Sequence, residues 1–279
     1  MPVAVLSDAA AALPPALAEE AGVVQVPFQI ALADRTVNED QLPDGFLATQ
    51  PPGSIQSAAP PPGAYLSALQ AHAGPEGAVV VTVASRYSAS AQAAHAAATL
   101  LRPTLPVVVV DSGTAAGAQA LVVLAAARAA RAGADLEAVA VAARRAATQV
   151  RLVALVEQLD WLRASGRLPA PVARLGLAAG VLLLFELTPA GPRPLRPLRS
   201  RPRALRALAR RVLAGRRPDH GLEVVALHAE RPKDAEAALD LVASVVPPTT
   251  AFLSGFGPVM VAHTGPGVVG LAWRWVPPT

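Results

Sequence analysis

Short apolar runs alternate with alanine-rich amphipathic segments through the first half of this chain. Val3–Leu6, Val23–Leu32, Ala78–Val83 and Val107–Val110 read as strands. Pro14–Ala21, Ser88–Leu101, Thr114–Ala132 and Leu136–Thr148 read as helices, with proline early in the first and Asp135 as a cap for the last. A strand can pair in parallel with the next only if a crossover carries the chain back. Repeated strand–helix alternation therefore predicts a parallel sheet covered by helices.

The second half is less regular. Gln158–Ala164, Pro202–Ala214 and Lys233–Val245 read as helices. Gly180–Leu187, Leu222–His228, Ala251–Ser254 and Val268–Trp273 read as strands, and Pro189–Pro197 reads as a turn-rich connection. This is an α+β pattern. Two lobes follow, residues 1–160 and 161–279.

Composition removes several function classes. With no cysteine there is no disulfide, thiol nucleophile or cysteine metal site. The longest markedly apolar run, Leu175–Phe185, is about half a bilayer span, and Asp8 interrupts the first apolar run early. A cytoplasmic protein is expected. Lys233 is the single lysine, so the basic charge is almost wholly arginine, as a GC-rich coding sequence would give. At 4% aromatic residues a base-stacking platform is poorly supported, and no nucleic-acid partner is expected.

Candidate site residues cluster at strand ends and in Gly/Pro-rich stretches. Ser7-Asp8 follow the first strand, where open α/β sheets collect ligands. Turn or cap duty is the alternative. Ser57 lies on a Pro-rich loop. Ser85 follows the third strand, and Ser88 stands near a helix start, whose free amides attract anions. Ser88 as a simple helix cap is compatible with that. Arg199 and Arg201 belong to a run of ten arginines from Arg193 to Arg217 that contains no acid. That run is either a solvated face or a docking surface for an acidic partner. His263-Thr264 sit between Gly257-Pro258 and Gly265-Pro266-Gly267, on what reads as a loop. Gly265, Gly267 and Gly270 spell G-x-G-x-x-G, but a strand follows and no acidic residue lies about twenty positions on, so no dinucleotide site is expected.

In order along the chain, Val3-Ala4-Val5-Leu6-Ser7-Asp8, Ser57 through Gly63, Ser85 through Gln92, Val110-Asp111-Ser112, Leu162 through Leu168, Arg199-Ser200-Arg201 and the His263 stretch resemble the DegV family. The resemblance implies a two-lobed α/β fold, a Rossmann-like parallel-sheet lobe followed by an α+β lobe. It implies a long-chain fatty acid in an apolar tunnel of the first lobe. The carboxylate would lie near Ser57, Ser85, His263 and one of Arg199 and Arg201, with Thr264, Ser7, Asp8 and Ser88 close by. No cofactor or metal is implied. The chain would not be an enzyme. It would present its acid to a separate kinase that makes an acyl phosphate, with room for transient membrane contact. Ala58, Ala59 and Ala84 stand where family members are polar. A lipid carrier with no kinase partner, and a hydrolase using a serine and His263, stay open as alternatives.

Overall fold

Valine fills the strands of the first sheet because both of its faces are covered. The computed structural model describes residues 3–32, 35–43, 45–102, 104–166, 181–188 and 190–278. The strands are β1 (Ala4–Asp8), β2 (Val23–Val26), β6 (Ala78–Thr82) and β7 (Val107–Asp111). They run parallel in the order β2-β1-β6-β7. Every residue of β6 is buried. Helices α2 (Pro62–His72) and α3 (Ser90–Leu101) cover one face, where Leu6, Val80, Tyr65, Leu69, Ala94 and Ala97 pack together. Helices α4 (Ala116–Arg131) and α5 (Leu136–Gln149) pack on each other and against β1, β6 and β7. Alanine surrounds α4 on all sides, which suits a helix buried along most of its length. Helix α1 (Pro15–Ala21) packs on β2. A small antiparallel sheet, β4-β3-β5, joins β3 (Gln29–Ala31) to β4 (Thr36–Asn38) and β5 (Gln56–Ala58).

The second sheet is mixed, in the order β10-β9-β8-β13-β11-β12. It comprises β8 (Arg151–Val156), β9 (Leu182–Thr188), β10 (Gly191–Leu198), β11 (Gly221–His228), β12 (Thr250–Gly255) and β13 (Val269–Val276). Only β11 and β12 pair in parallel. Helices α7 (Arg201–Leu213) and α8 (Pro232–Ala243) supply Leu205, Leu208, Val212, Ala238 and Val242 to the core on this sheet. Helices α6 (Leu159–Ala164) and α9 (Pro258–Thr264) pack together.

The chain divides into two compact units, 1–42 with 56–149, and 43–55 with 150–279. The second begins about ten residues earlier than the sequence boundary at 160 suggests, because β8 pairs with β13 and β9. It also takes residues 43–55 from the midst of the first. Within it the 3-10 turn Phe46–Thr49 packs on α9.

Several local expectations change. The apolar run at Val23–Leu32 is two strands in different sheets, broken at Pro27-Phe28. The proline-rich connection at 189–197 is mostly strand β10. It tolerates Pro192, Pro194 and Pro197 because it is an edge strand paired only with β9, with an irregular register between Pro194 and Pro197. His263 lies on a helix, α9, rather than a loop. Pro258 opens that helix and Gly265, at φ +76°, ends it. The Arg167-Leu168 end of the Leu162–Leu168 motif and the stretch from Leu175 to Gly180 lie outside the described residues.

Candidate functional site

Polar side chains gather at the carboxyl edge of the first sheet, where parallel strands deliver their loops. Ser7 and Asp8 end β1 and are fully buried. The Asp8 carboxylate accepts from four donors. Its Oδ2 takes the Val83 amide at 2.9 Å and the Ser90 hydroxyl at 2.5 Å, and its Oδ1 takes Gln119 Nε2 at 2.8 Å. The Ala10 amide is the fourth. Burial raises the Asp8 pKa above its ordinary value, against the pull of Ser90, Gln119 and the two amides. Gln119 Nε2 also donates to Ser7 Oγ at 3.1 Å. Tyr65 Oη lies 2.5 Å from Ser90 Oγ. Ser90 has one proton and gives it to Asp8, so Tyr65 donates to Ser90. Burial drives the Tyr65 hydroxyl pKa far above the phenol range, with the Asp8 charge adding to it.

This network holds both ends of the turn between β6 and α3. Three amides inside the turn also have acceptors. Ala84 N donates to Thr114 O at 2.8 Å, Ser85 N to Asp111 Oδ2 at 3.1 Å and Tyr87 N to Ala84 O at 2.9 Å. Asp111 is itself tied down by Gly113 N at 2.8 Å. Ser88 Oγ accepts the Ser90 amide at 3.2 Å, but Ala89 holds the cap position of α3 and no side chain caps it, so Ser88 is not the helix cap. Ser85 thus gives its amide to Asp111 rather than to a ligand, while its side chain stands exposed on a fixed backbone. Ser57 is not on a loop as its prolines suggest: it is half-buried on β5, opposite Ile30 of β3 in the small sheet.

Asp8 is therefore a brace, with both oxygens occupied by the fold. Sequence reading missed Tyr65 and Gln119, and took Ser90 only as part of a helix start. Gln119 did leave a signal, as the only polar residue in the first twelve of α4.

In the second unit Arg201 is consumed by the fold. Its Nε donates to Asp234 at 2.6 Å, its Nη1 pairs with Glu157, and its Nη2 donates to the Gly267 carbonyl at 3.1 Å. Arg199 is exposed just before α7. Thr264 Oγ1 donates back to Met260 O at 2.8 Å, closing the last turn of α9, and His263 is half-buried on that helix. His228 ends β11 opposite Gly255, its Nδ1 buried and without a partner among the described residues, and burial lowers its pKa. Arg193 and Arg211 converge on the nearly buried Glu186, Arg211 at 2.7 Å. Burial would raise the Glu186 pKa, but the two guanidiniums bring it below the usual value. Three of the ten arginines in the run are thus neutralised by acids outside it. Among the described residues no cluster of His, Asp and Glu could hold a metal ion, and no helix is long and apolar enough to cross a membrane.

Comparison with known proteins agrees with this architecture along its whole length. The model of the DegV family, described as uncharacterised proteins, matches residues 2–275. A DegV domain-containing protein of Mycobacterium tuberculosis is 32% identical over 279 residues, covering 97% of this chain and 96% of the relative. One from Streptomyces coelicolor is 30% identical over 275 residues, covering 96% and 97%. Among solved structures, a DegV lipid-binding protein from Thermotoga maritima superposes with a TM-score of 0.88 at 20% identity, covering all of both chains. DegV from Bacillus subtilis, a fatty-acid-binding protein, gives 0.84 at 21% identity with 99% of each chain covered. A DegV family protein from Eubacterium eligens loaded with heptadecanoic acid gives 0.83 at 18% identity, covering 98% of this chain and 99% of that one. The parallel first sheet, the mixed second sheet and the family model over nearly every residue lead to one conclusion: this chain belongs to the DegV family.

Proposed function

We propose that this protein binds a long-chain fatty acid in the cytoplasm and presents its carboxylate to a separate kinase, which converts it to an acyl phosphate. The observation that carries the reading is the full-length match to a family whose solved members include fatty-acid-binding proteins. The chemistry of the first unit is in keeping with it. An acyl tail asks only for apolar walls, at about 0.8 kcal/mol per buried methylene. The head group asks for a few fixed hydrogen-bond donors. The Ser85 hydroxyl, on a turn held by the Ala84, Ser85 and Tyr87 amides, is such a donor, and Ser57 is proposed as a second. In the second unit His263 and Arg199 are the residues for which the same reading asks a ligand role. Arg199 is favoured over Arg201, whose guanidinium already serves Glu157, Asp234 and Gly267.

Purification under native conditions, organic extraction and mass spectrometry test the binding. A long-chain fatty acid should be recovered in near-stoichiometric amount, or should bind on titration. Hydrogen bonds to a carboxylate contribute about 1.5–3 kcal/mol. Ser57→Ala should therefore weaken affinity roughly ten-fold or more. A protein that yields no lipid and takes up none would remove the proposal. Acyl phosphate formation with ATP and a fatty-acid kinase tests the presenting role. Binding with no phosphorylation would leave a carrier that serves no kinase, in line with Ala58, Ala59 and Ala84.

A further inference from the structure

The hydroxyl of Tyr65 is out of place in an apolar helix interface. Tyr65 sits between α2 and α3 among Leu6, Val80, Leu69 and Ala94, fully buried. Phenylalanine would fill the same space without burying a hydroxyl, which is unfavourable unless hydrogen-bonded. The hydroxyl meets Ser90, the first residue of α3, at 2.5 Å, and Asp8 lies within its hydrogen-bonding reach. Ser90 passes the interaction to Asp8 Oδ2, and that same oxygen takes the Val83 amide. A single carboxylate oxygen thus fixes both ends of the turn that carries Ser85.

Two further buried polar atoms at this edge, Thr82 Oγ1 and Gln119 Oε1, have no hydrogen-bond partner among the described residues. Thr82 ends β6, next to the turn, and Gln119 is bonded to Asp8. Unsatisfied buried groups are uncommon in native proteins. Here they fall beside the one turn that the proposed function uses. A sheet that only needed closing would be more stable with apolar residues in these places.

We propose that Tyr65 is a positioning residue, acting through Ser90 and Asp8 on the Ser85 turn, and that it sets the preference for a carboxylate over the same tail without a charge. The inference rests on the fatty-acid reading and adds a determinant of head-group selectivity to it. The hydroxyl lends its proton to Ser90, so the Ser90 proton is committed to Asp8. Asp8 then holds Val83 and Ser90 at fixed separation, and the intervening turn keeps the Ser85 hydroxyl in one place. Removing the Tyr65 hydroxyl frees Ser90 to rotate and loosens that placement. It leaves the apolar surroundings intact.

The test compares binding of a long-chain fatty acid and the fatty alcohol of equal length to the full-length protein, its Tyr65→Phe and Ser85→Ala variants, and the double variant. Tyr65→Phe should raise Kd for the acid about three- to ten-fold, with Kd for the alcohol within about two-fold of the starting protein. In the double variant the added effect of Tyr65→Phe on the acid should vanish, since both substitutions act on one interaction. Ser90→Ala should reproduce the acid-selective loss. Equal losses for acid and alcohol would mean that Tyr65 only supports the fold, and would overturn the inference. So would unchanged acid binding, or additive effects of Tyr65→Phe and Ser85→Ala. If the unsubstituted protein binds neither ligand, the fatty-acid reading itself fails and takes this inference with it. That result is separate from the others because it needs no variant.

Discussion

Asp8 is a carboxylate buried with four hydrogen-bond donors around it and no cation among the contacts described. The donors favour its charged form and burial opposes it, with burial the larger effect. Its pKa in the folded protein therefore lies above the unfolded value of 3.8. The associated stability is fully present below the unfolded value and is lost as pH rises through the folded one. Asp8→Asn removes that dependence but turns an amide N–H toward either the Val83 and Ser90 donors or Gln119 Nε2. The variant should be less stable by about 1–3 kcal/mol even though it buries no charge. Urea unfolding from about pH 3 to pH 7 should show the gap widest in acid and narrowing toward neutrality. A variant at least as stable as the starting protein across that range would mean that the donors around Asp8 adapt. These partners could not be read locally. Val83, Ser90 and Gln119 lie 75, 82 and 111 positions from Asp8 in the chain. Ser7-Asp8 could be placed at a strand end from sequence, but the role of brace appears only when three distant elements meet there.

Elements were legible where one physical pattern ruled them. The valine runs of β6 and β7 and the alanine-rich α3, α4 and α5 were read nearly to their observed ends. Strand β10 and helix α9 were not, because their prolines and glycines argue locally for turns while sheet pairing and packing decide otherwise. Gly265 shows how tightly α9 is seated. It has φ +76°, and a Cβ there would come within 2.7 Å of Trp161 Cδ1 on α6. Gly265→Ala should destabilise the protein by about 2 kcal/mol or more, read from its unfolding midpoint. Helix α7 carries the outward-facing arginines of the run. Arg203, Arg206 and Arg210 are all exposed at helical spacing, while Ala204, Leu205, Leu208, Ala209 and Val212 are buried behind them. Under the proposed function, Arg206→Glu with Arg210→Glu should slow acyl phosphate formation and weaken its salt dependence, with fatty-acid affinity unchanged. Unaltered kinetics across a range of salt would identify the helix as a solvated face only.

At the scale of the whole molecule, the division of the chain does not follow its order. Residues 43–55 leave the first unit and belong with 150–279. In that unit Phe46–Thr49 packs on α9, and a Cβ on Gly53 would come within 3.1 Å of the Ala164 side chain. A fragment of residues 150–279 thus lacks part of its own packing. It should unfold at lower urea than the corresponding transition of the full chain, with a peptide of residues 43–55 raising its midpoint. A fragment as stable alone would show the segment to be dispensable. The same arrangement bears on how the protein is made. At about 5–20 residues per second, synthesis leaves residues 43–55 waiting for about 10–40 seconds before α9, on which they pack, has been translated. β1 and β2 are already out by then, β6 and β7 emerge during that interval, and the four can begin to pair on either side of an unplaced loop. The N-terminal sheet has a route to form during translation, whereas the C-terminal unit must recruit an early piece of chain after its own last strand, β13, is released.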